Sequence, residues 1–268
     1  MATQNRSSKR PRISGFWLAF ACITGVYLLF WSLLLAALAA YGTTDHWLAA
    51  VMQREVRFSA WLSLTTSTIA AALAVIVALP TAYLLARRRF PGKALIDAAL
   101  DVPIVLPPMV VGLCLLIFFQ TSLGRAIERW LPFTFTVAGL ILAQFTVAAA
   151  FAIRTLRGTF DHLSARPEEV SLTLGATPWQ AFRHVALPSA RRGIVAAYCI
   201  AWARSLGEFG PILVFVGATR MKTEVLPTTI WVELSTGHLE TAAAVSLMMV
   251  LLAVIVLVAV RATGAKLW

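Results

Sequence analysis

The chain predicts an all-α integral membrane protein, on three observations. Hydrophobic residues fill 59% of its 268 positions against 13% charged, and the mean hydropathy is +0.80, far more apolar than a soluble domain. The apolar residues come in continuous runs instead of alternating at period two, which argues against the strands of a membrane barrel. Six of these runs, 15–41, 58–86, 102–119, 134–153, 194–218 and 241–260, approach or exceed the roughly 20 residues needed to cross the hydrocarbon.

The first run follows a polar, basic segment, 1–14, that carries Arg6, Lys9, Arg10 and Arg12. It is too long for a signal-peptide core and lacks a small-residue cleavage site, so it is expected to stay as span one. With both termini inside, the cytoplasmic segments hold most of the 23 basic residues, among them Arg87, Arg88, Arg89, Lys93, Arg154, Arg157, Arg166, Arg183, Arg191, Arg192, Arg261 and Lys266. That asymmetry fixes the orientation. The net charge of +11 is therefore a topology signal, and nothing interleaves basic residues with aromatics on a soluble module as nucleic-acid binding requires. No Gly- or Ser-rich linker divides the chain, so residues 15–261 are expected to form one membrane domain, with 262–268 a cytoplasmic tail. Cys22, Cys114 and Cys199 fall in separate spans without metal-ligand spacing and serve as small apolar residues.

Between spans two and three, Arg87 to Lys93 forms a basic turn broken by Pro91-Gly92. Asp97 and Asp101 follow as an i,i+4 pair, expected in an interfacial first turn where Asp suits the helix N-terminus. Span three opens with Pro103, Pro107 and Pro108, and each proline removes a backbone donor and clashes one turn back. The helix must bend or start late there. Carbonyls freed in lipid need protein or water, so Pro107 and Pro108 mark either a structural kink or a segment lining a path.

The longest polar loop, 154–193, reads as two short helices. Ser164 is expected to cap the first, with Pro167 in its first turn, Glu168 and Glu169 complementing its dipole and Gly175 ending it. Thr177 caps the second, Pro178 takes its first position and Gln180 completes a capping box. Trp179, Phe182 and Val185 then share a face too large for the helix to bury within itself. Either this subunit's own helices or a soluble partner must receive it.

Span five contains Arg204-Ser205-Leu206-Gly207-Glu208-Phe209-Gly210-Pro211. At about 1.5 Å per residue, Arg204 and Glu208 lie roughly 16 and 22 Å into the membrane. A central arginine costs roughly 2.5 to 3.5 kcal/mol even on lenient insertion scales, so both side chains should face protein or water. They form either a self-neutralising pair that steadies a bent helix, with Gly207 and Gly210, or a positive station on an anion path whose arginine rotamer Glu208 fixes.

Glu169, five residues, Gly175, nine residues and then Val185-x-Leu187-Pro188 together resemble the EAA loop of ABC importer permeases. Val170 and Ser171 stand where two alanines are usual, and Val185 where isoleucine is. Leu106-Pro107-Pro108 and the segment from Arg204 to Gly210 are similar to those of the molybdate, tungstate and sulfate permeases, and the likeness runs over about 58–260. The resemblance implies a type I importer fold with cytoplasmic coupling helices between spans four and five. It also implies a homodimer in the bacterial cytoplasmic (inner) membrane, two cytoplasmic ATPase subunits and an extracytoplasmic oxyanion-binding protein. Glu169, Ser171, Gly175, Trp179, Phe182, Leu187 and Pro188 would engage the ATPase. Pro107, Pro108, Arg204, Gly207, Glu208 and Gly210 would line the path for molybdate or tungstate, with sulfate second.

No catalytic, cofactor or metal site is expected. The sequence has no phosphate-cradling glycine loop, no nucleophile elbow and no His-Glu-x-x-His, so ATP hydrolysis falls to the partner. The external segment 219–240, with Arg220, Lys222, Glu224, Glu233 and Glu240, either meets the binding protein through complementary charge or packs a short helix carrying Trp231 and Leu234 over the channel mouth. An ATP-independent carrier or channel for a small anion is the alternative, with Pro103–Pro108 and Gly207–Pro211 as its paired broken helices. The loop 154–193 speaks against it.

Overall fold

The computed structural model of the chain describes residues 15–41 and 44–262. Most of the two expected tails, including Arg6, Lys9, Arg10, Arg12 and Lys266, lies outside the described residues. Among the described residues every regular element is helical. Residues through 43 form one unit, described here as the helix α1 (Gly15–Ala40), which buries none of its side chains within the chain.

The second unit begins at Thr44 and runs through α2 (Thr44–Met52), α3 (Arg54–Arg87), α4 (Lys93–Val105), α5 (Pro108–Gln120), α6 (Ser122–Glu128) and α7 (Val137–His162). It continues with α8 (Arg166–Thr173), α9 (Pro178–Ala181), a π-helical turn (Phe182–Ala186), α10 (Leu187–Ser189) and α11 (Arg191–Leu206). The last elements are α12 (Gly210–Phe215), α13 (Leu226–Ser235) and α14 (Leu239–Ala262). The helices α1, α3 and α7 and the stretch Leu239–Val256 of α14 are each long and apolar enough to cross a bilayer, and α4 with α5 makes a broken fifth candidate.

The centre of the second unit is a three-helix contact built from small residues. Ala71, Ala74, Ala78 and Ala82 recur every three or four positions on α3 and meet Ala148 and Ala152 of α7 and Ala197 and Ala201 of α11, all fully buried. Lipid is as apolar as leucine, so helices gain little by hiding large side chains from it. Close backbone approach and dispersion hold them together, and alanine permits that approach.

The expected third span, 102–119, is two helices at 109° to each other. Leu106 and Pro107 each precede a proline, which disfavours the α region for both, and both are extended at ψ 139° and 131°. Pro103 does not take part in the break and stays inside α4. The expected fifth span, 194–218, is likewise not one helix. α11 ends at Leu206 with Gly207 as its C-cap, and α12 restarts at Gly210 with Pro211 in its first turn, where a missing N–H costs nothing.

Span four, expected over 134–153, is longer than its apolar run. Thr136 caps α7 by accepting from the Gly139 amide at 3.2 Å, and the helix continues to His162. No proline interrupts it, and its arginines are matched: Arg154 pairs with Asp101 at 2.7 Å and Arg157 with Asp97. Those partners also revise the reading of Asp97 and Asp101, because α4 already starts at Lys93 and both lie beyond its first turn. Cross-helix ion pairs to α7, and not the helix dipole, account for them. The loop proper thus shrinks from 154–193 to two non-helical stretches around 163–165 and 174–177.

Candidate functional site

The two helix breaks meet. A Cβ built on Gly210 would lie 2.9 Å from both the Met109 amide nitrogen and Pro108 Cβ, and one on Gly112 would lie 2.7 Å from Pro211 Cα. Only glycine at both positions lets the start of α12 seat on the start of α5. Pro108 and Gly210, far apart in sequence, therefore come together, whereas Pro107 and Gly207 remain exposed at the two bends.

One turn before this junction, Arg204 Nη2 lies 3.0 Å from Glu208 Oε2. The carboxylate side chain is 1% exposed and the arginine 29%, so the pair has a buried acidic end and an accessible basic end. The guanidinium carbon stands 5.7 Å from the centre of the Phe151 ring on α7, a cation–π contact that holds it against protein. Around the pair the polar matching is incomplete. Gln144 of α7 donates to the Ser205 carbonyl at 3.1 Å and to Ser67 Oγ at 3.4 Å, yet Gln144 Oε1 and Ser205 Oγ are buried without a hydrogen bond, and Glu208 Oε2 has only the ion-pair contact with Arg204, not aligned as a hydrogen bond. Trp202 Nε1, on the same helix, donates to Thr68 of α3 at 3.1 Å.

The hairpin of α8 and α9 is built differently. Ala165, not Ser164, occupies the N-cap of α8, and Ser164 Oγ instead accepts from the Arg166 amide at 3.3 Å. Pro167 follows in the first turn, where its missing N–H costs nothing. Gly175 has φ +92°, the left-handed conformation that ends a helix cheaply only without a side chain, and the Gly175 and Ala176 amides close back on Leu172 and Ser171 carbonyls at 3.0 Å each. Thr177 and Gln180 form the expected capping box, Gln180 N–H to Thr177 Oγ1 at 3.3 Å and Thr177 N–H to Gln180 Oε1 at 2.8 Å.

The aromatics divide between the two expected receivers. Phe182 packs on Tyr83 of α3 with ring centroids 4.7 Å apart, while Trp179, 5.7 Å from Phe182, is 64% exposed. Val170, Leu172 and Leu174 are exposed as well, so the hairpin carries large apolar side chains left uncovered within the chain. Glu169 and Pro188 are exposed, and Ser171, whose Oγ donates to the Glu168 carbonyl at 2.7 Å, and Leu187 are partly buried.

Sequence reading missed the carboxylate that fixes the hairpin. Glu168 is 7% exposed and pairs with Arg87 at 2.8 Å, with Tyr83 donating to its other oxygen at 2.9 Å. Charge asymmetry treats Arg87 only as a topology signal, and the dipole argument does not separate Glu168 from Glu169. The available signal was that an acidic side chain opens the hairpin while an arginine closes α3.

In the segment 219–240, α13 forms as expected but turns the other way. Trp231 and Leu234 are exposed, and Thr228, Thr229 and Glu233 are buried. The Leu226 amide donates to Ser63 Oγ of α3 at 2.8 Å, and Glu233 holds both Arg220 and His238, the latter at 3.0 Å. These polar anchors fix the helix rotation. Burial pushes the Glu224 carboxyl above its ordinary value, and Glu224 Oε2 has no hydrogen bond.

Residues 78–268 match the family described as "Binding-protein-dependent transport system inner membrane component". Over 248 residues the chain is 32% identical to the sulfate transport system permease protein CysT of Escherichia coli (strain K12), spanning 89% of this chain and 88% of that protein. It is 34% identical over 192 residues to the molybdenum transport system permease protein ModB of the same organism, spanning 69% and 84%. Among solved structures, a bacterial ABC transporter involved in the import of the acidic polysaccharide alginate superposes with a TM-score of 0.73 over 94% of this chain and 96% of that one. At 16% identity, that likeness is one of fold.

Proposed function

The chain belongs to the family of binding-protein-dependent transport system inner membrane components, and from that premise we propose that it is the permease subunit of an ATP-driven importer of a tetrahedral oxyanion. Molybdate or tungstate is the first choice and sulfate the second. The observation that carries the reading is the extent of the family match: residues 78–268 enclose both the cytosolic hairpin and the Arg204–Glu208 pair. Relatives named for sulfate and for molybdenum transport support the substrate class.

In this reading two copies of the chain enclose a path with both termini cytoplasmic, and the broken third and fifth spans give six crossings in each copy. Pro107, Pro108, Gly207 and Gly210 shape the path, and Arg204 supplies the positive station, its charge offset by Glu208 when no anion is present. An extracytoplasmic binding protein delivers the anion. Glu169, Ser171, Gly175, Trp179, Phe182, Leu187 and Pro188 transmit closure of two ATPase subunits to the spans, and the uncovered apolar side chains of the hairpin are what an ATPase cleft would cover. Hydrolysis belongs to that partner.

An ATP-independent carrier, which the meeting of two broken helices would suit, is not favoured by a binding-protein-dependent family. Reconstitution decides between them. Vesicles holding the chain with its ATPase, binding protein inside the assay and ATP supplied, should accumulate molybdate. Accumulation of sulfate alone would reassign the anion, and accumulation at full rate without the ATPase would overturn the importer reading.

A further inference from the structure

We propose that Tyr83, Arg87 and Glu168 are positioning residues that clasp the cytosolic hairpin to the end of α3, making α3 the member that carries ATPase closure across the membrane. The proposal deepens the importer reading above and rests on it. Its basis is the convergence of helix ends on one side chain. Arg87 is the last residue of α3. From there its Nη1 donates to the Phe160 carbonyl at 2.9 Å and its Nη2 to the Leu163 carbonyl at 3.1 Å, both at the C-terminal end of α7. Its Nη2 also reaches Glu168 Oε1 at 2.8 Å, and its Nε lies 3.2 Å from the same oxygen.

Such an arrangement ties three helix ends with one planar, preorganised group. Carbonyls in the last turn of α7 lack their regular i+4 partners and attract a cation, and the carboxylate in the first turn of α8 both suits that helix end and fills the guanidinium fork. Tyr83, one turn earlier on α3, completes the grip. Its hydroxyl donates to Glu168 Oε2 at 2.9 Å, and its ring packs on Phe160 at 5.5 Å and on Phe182 at 4.7 Å. The first half of the hairpin is thus held to α3 by charge and the second half by an aromatic contact.

Without this clasp, force on the exposed Val170, Leu172 and Trp179 could be lost by flexing the non-helical stretch 163–165. With it, the hairpin and the end of α3 move together. The far part of α3 is fastened in turn, because Ser63 accepts from the Leu226 amide at the start of α13. One helix therefore has a polar fastening to the hairpin near one end and to α13 near the other.

The test uses the complete transporter, chain with ATPase and binding protein, and reads molybdate accumulated per ATP hydrolysed. Glu168→Gln and Arg87→Lys should still copurify with the ATPase and still hydrolyse ATP, while uptake per ATP falls on the order of tenfold, within the span usual for coupling between sites. A residue of merely structural importance would lower the amount of complex and leave that ratio unchanged. Tyr83→Phe removes one hydroxyl and keeps the ring, so it should fold and show a smaller fall. If Glu168→Gln yields no complex, Tyr83→Phe decides. An unchanged ratio in a folded Glu168→Gln or, failing that, Tyr83→Phe complex overturns the proposal. Absence of ATP-dependent uptake by the unaltered transporter would instead overturn the importer reading.

Discussion

At the C-terminal end of α3, Arg87 engages Glu168 and two backbone carbonyls while Tyr83 satisfies the other carboxylate oxygen; at the end of α11, Arg204 reaches Glu208 and a ring face, and polar atoms around them stay unmatched. Both are Arg–Glu pairs with a nearly buried carboxylate. The difference lies in the remaining hydrogen bonds. A buried pair with all its lone pairs met has one favoured arrangement, and any other loses several bonds at once. A pair beside orphaned acceptors and hydroxyls has less to lose by rearranging, and its cation is partly exposed.

The strongest way to break this contrast is at the junction of the two broken helices. Gly210→Val forces a side chain against the Met109 amide and Pro108, where overpacking costs roughly 1–3 kcal/mol. Uptake should fall to background and the melting temperature in detergent should drop; wild-type uptake would show that the junction is not closely packed. Next in size is Arg204→Ala. Removing one member of a buried pair typically costs about 3–5 kcal/mol, and the 29% exposure of Arg204 places this loss at or below the lower end. Anion uptake should be lost while ATPase copurification persists, and unchanged uptake would reduce the pair to a structural one.

A smaller effect is expected at the cap between the two hairpin helices. Thr177→Ala removes the acceptor for the Gln180 amide and should destabilise by about 1 kcal/mol, read as a melting shift with assembly intact. Smallest is Glu224→Gln, which asks whether an under-matched carboxylate outside the membrane behaves as its buried oxygen implies. A carboxyl raised above its ordinary 4.5 binds its proton more tightly in the folded state. Its contribution is therefore full below that value and lost as pH rises through the raised one. Glu224→Gln should melt higher than the unaltered chain at pH about 7.5, with the gain vanishing in acid below the ordinary carboxylate value. An unchanged difference across that range would mean that Glu224 is solvated.

Much of this was legible along the chain. Four of the six apolar runs correspond to unbroken helices long enough to cross a bilayer, because lipid leaves a helix no other way to satisfy its backbone, and the Thr177–Gln180 box and Gly175 were readable because caps are local chemistry. What escaped was set by contacts distant in sequence. Periodicity puts Trp231 and Leu234 on one face of α13 but does not say that Ser63, Arg220 and His238 turn that face outward. Charge asymmetry explains why Arg87 is cytoplasmic but not which carboxylate it grips. The lengths of α7 and α4 likewise depend on matching Arg154 and Arg157 with Asp101 and Asp97 across two elements. In the membrane cluster, the sequence placed Arg204 beside Glu208 correctly because i,i+4 spacing is local. The contact of Pro108 with Gly210 could be seen only once both bends were in place.

From Pro178 the backbone stays helical or near-helical through α9, the π turn, α10 and α11 to Leu206. Along this path the π turn, where the Leu187 amide reaches back to the Phe182 carbonyl, is the part wound differently from the rest, so the faces of α11 do not continue the face that carries Trp179 and Phe182.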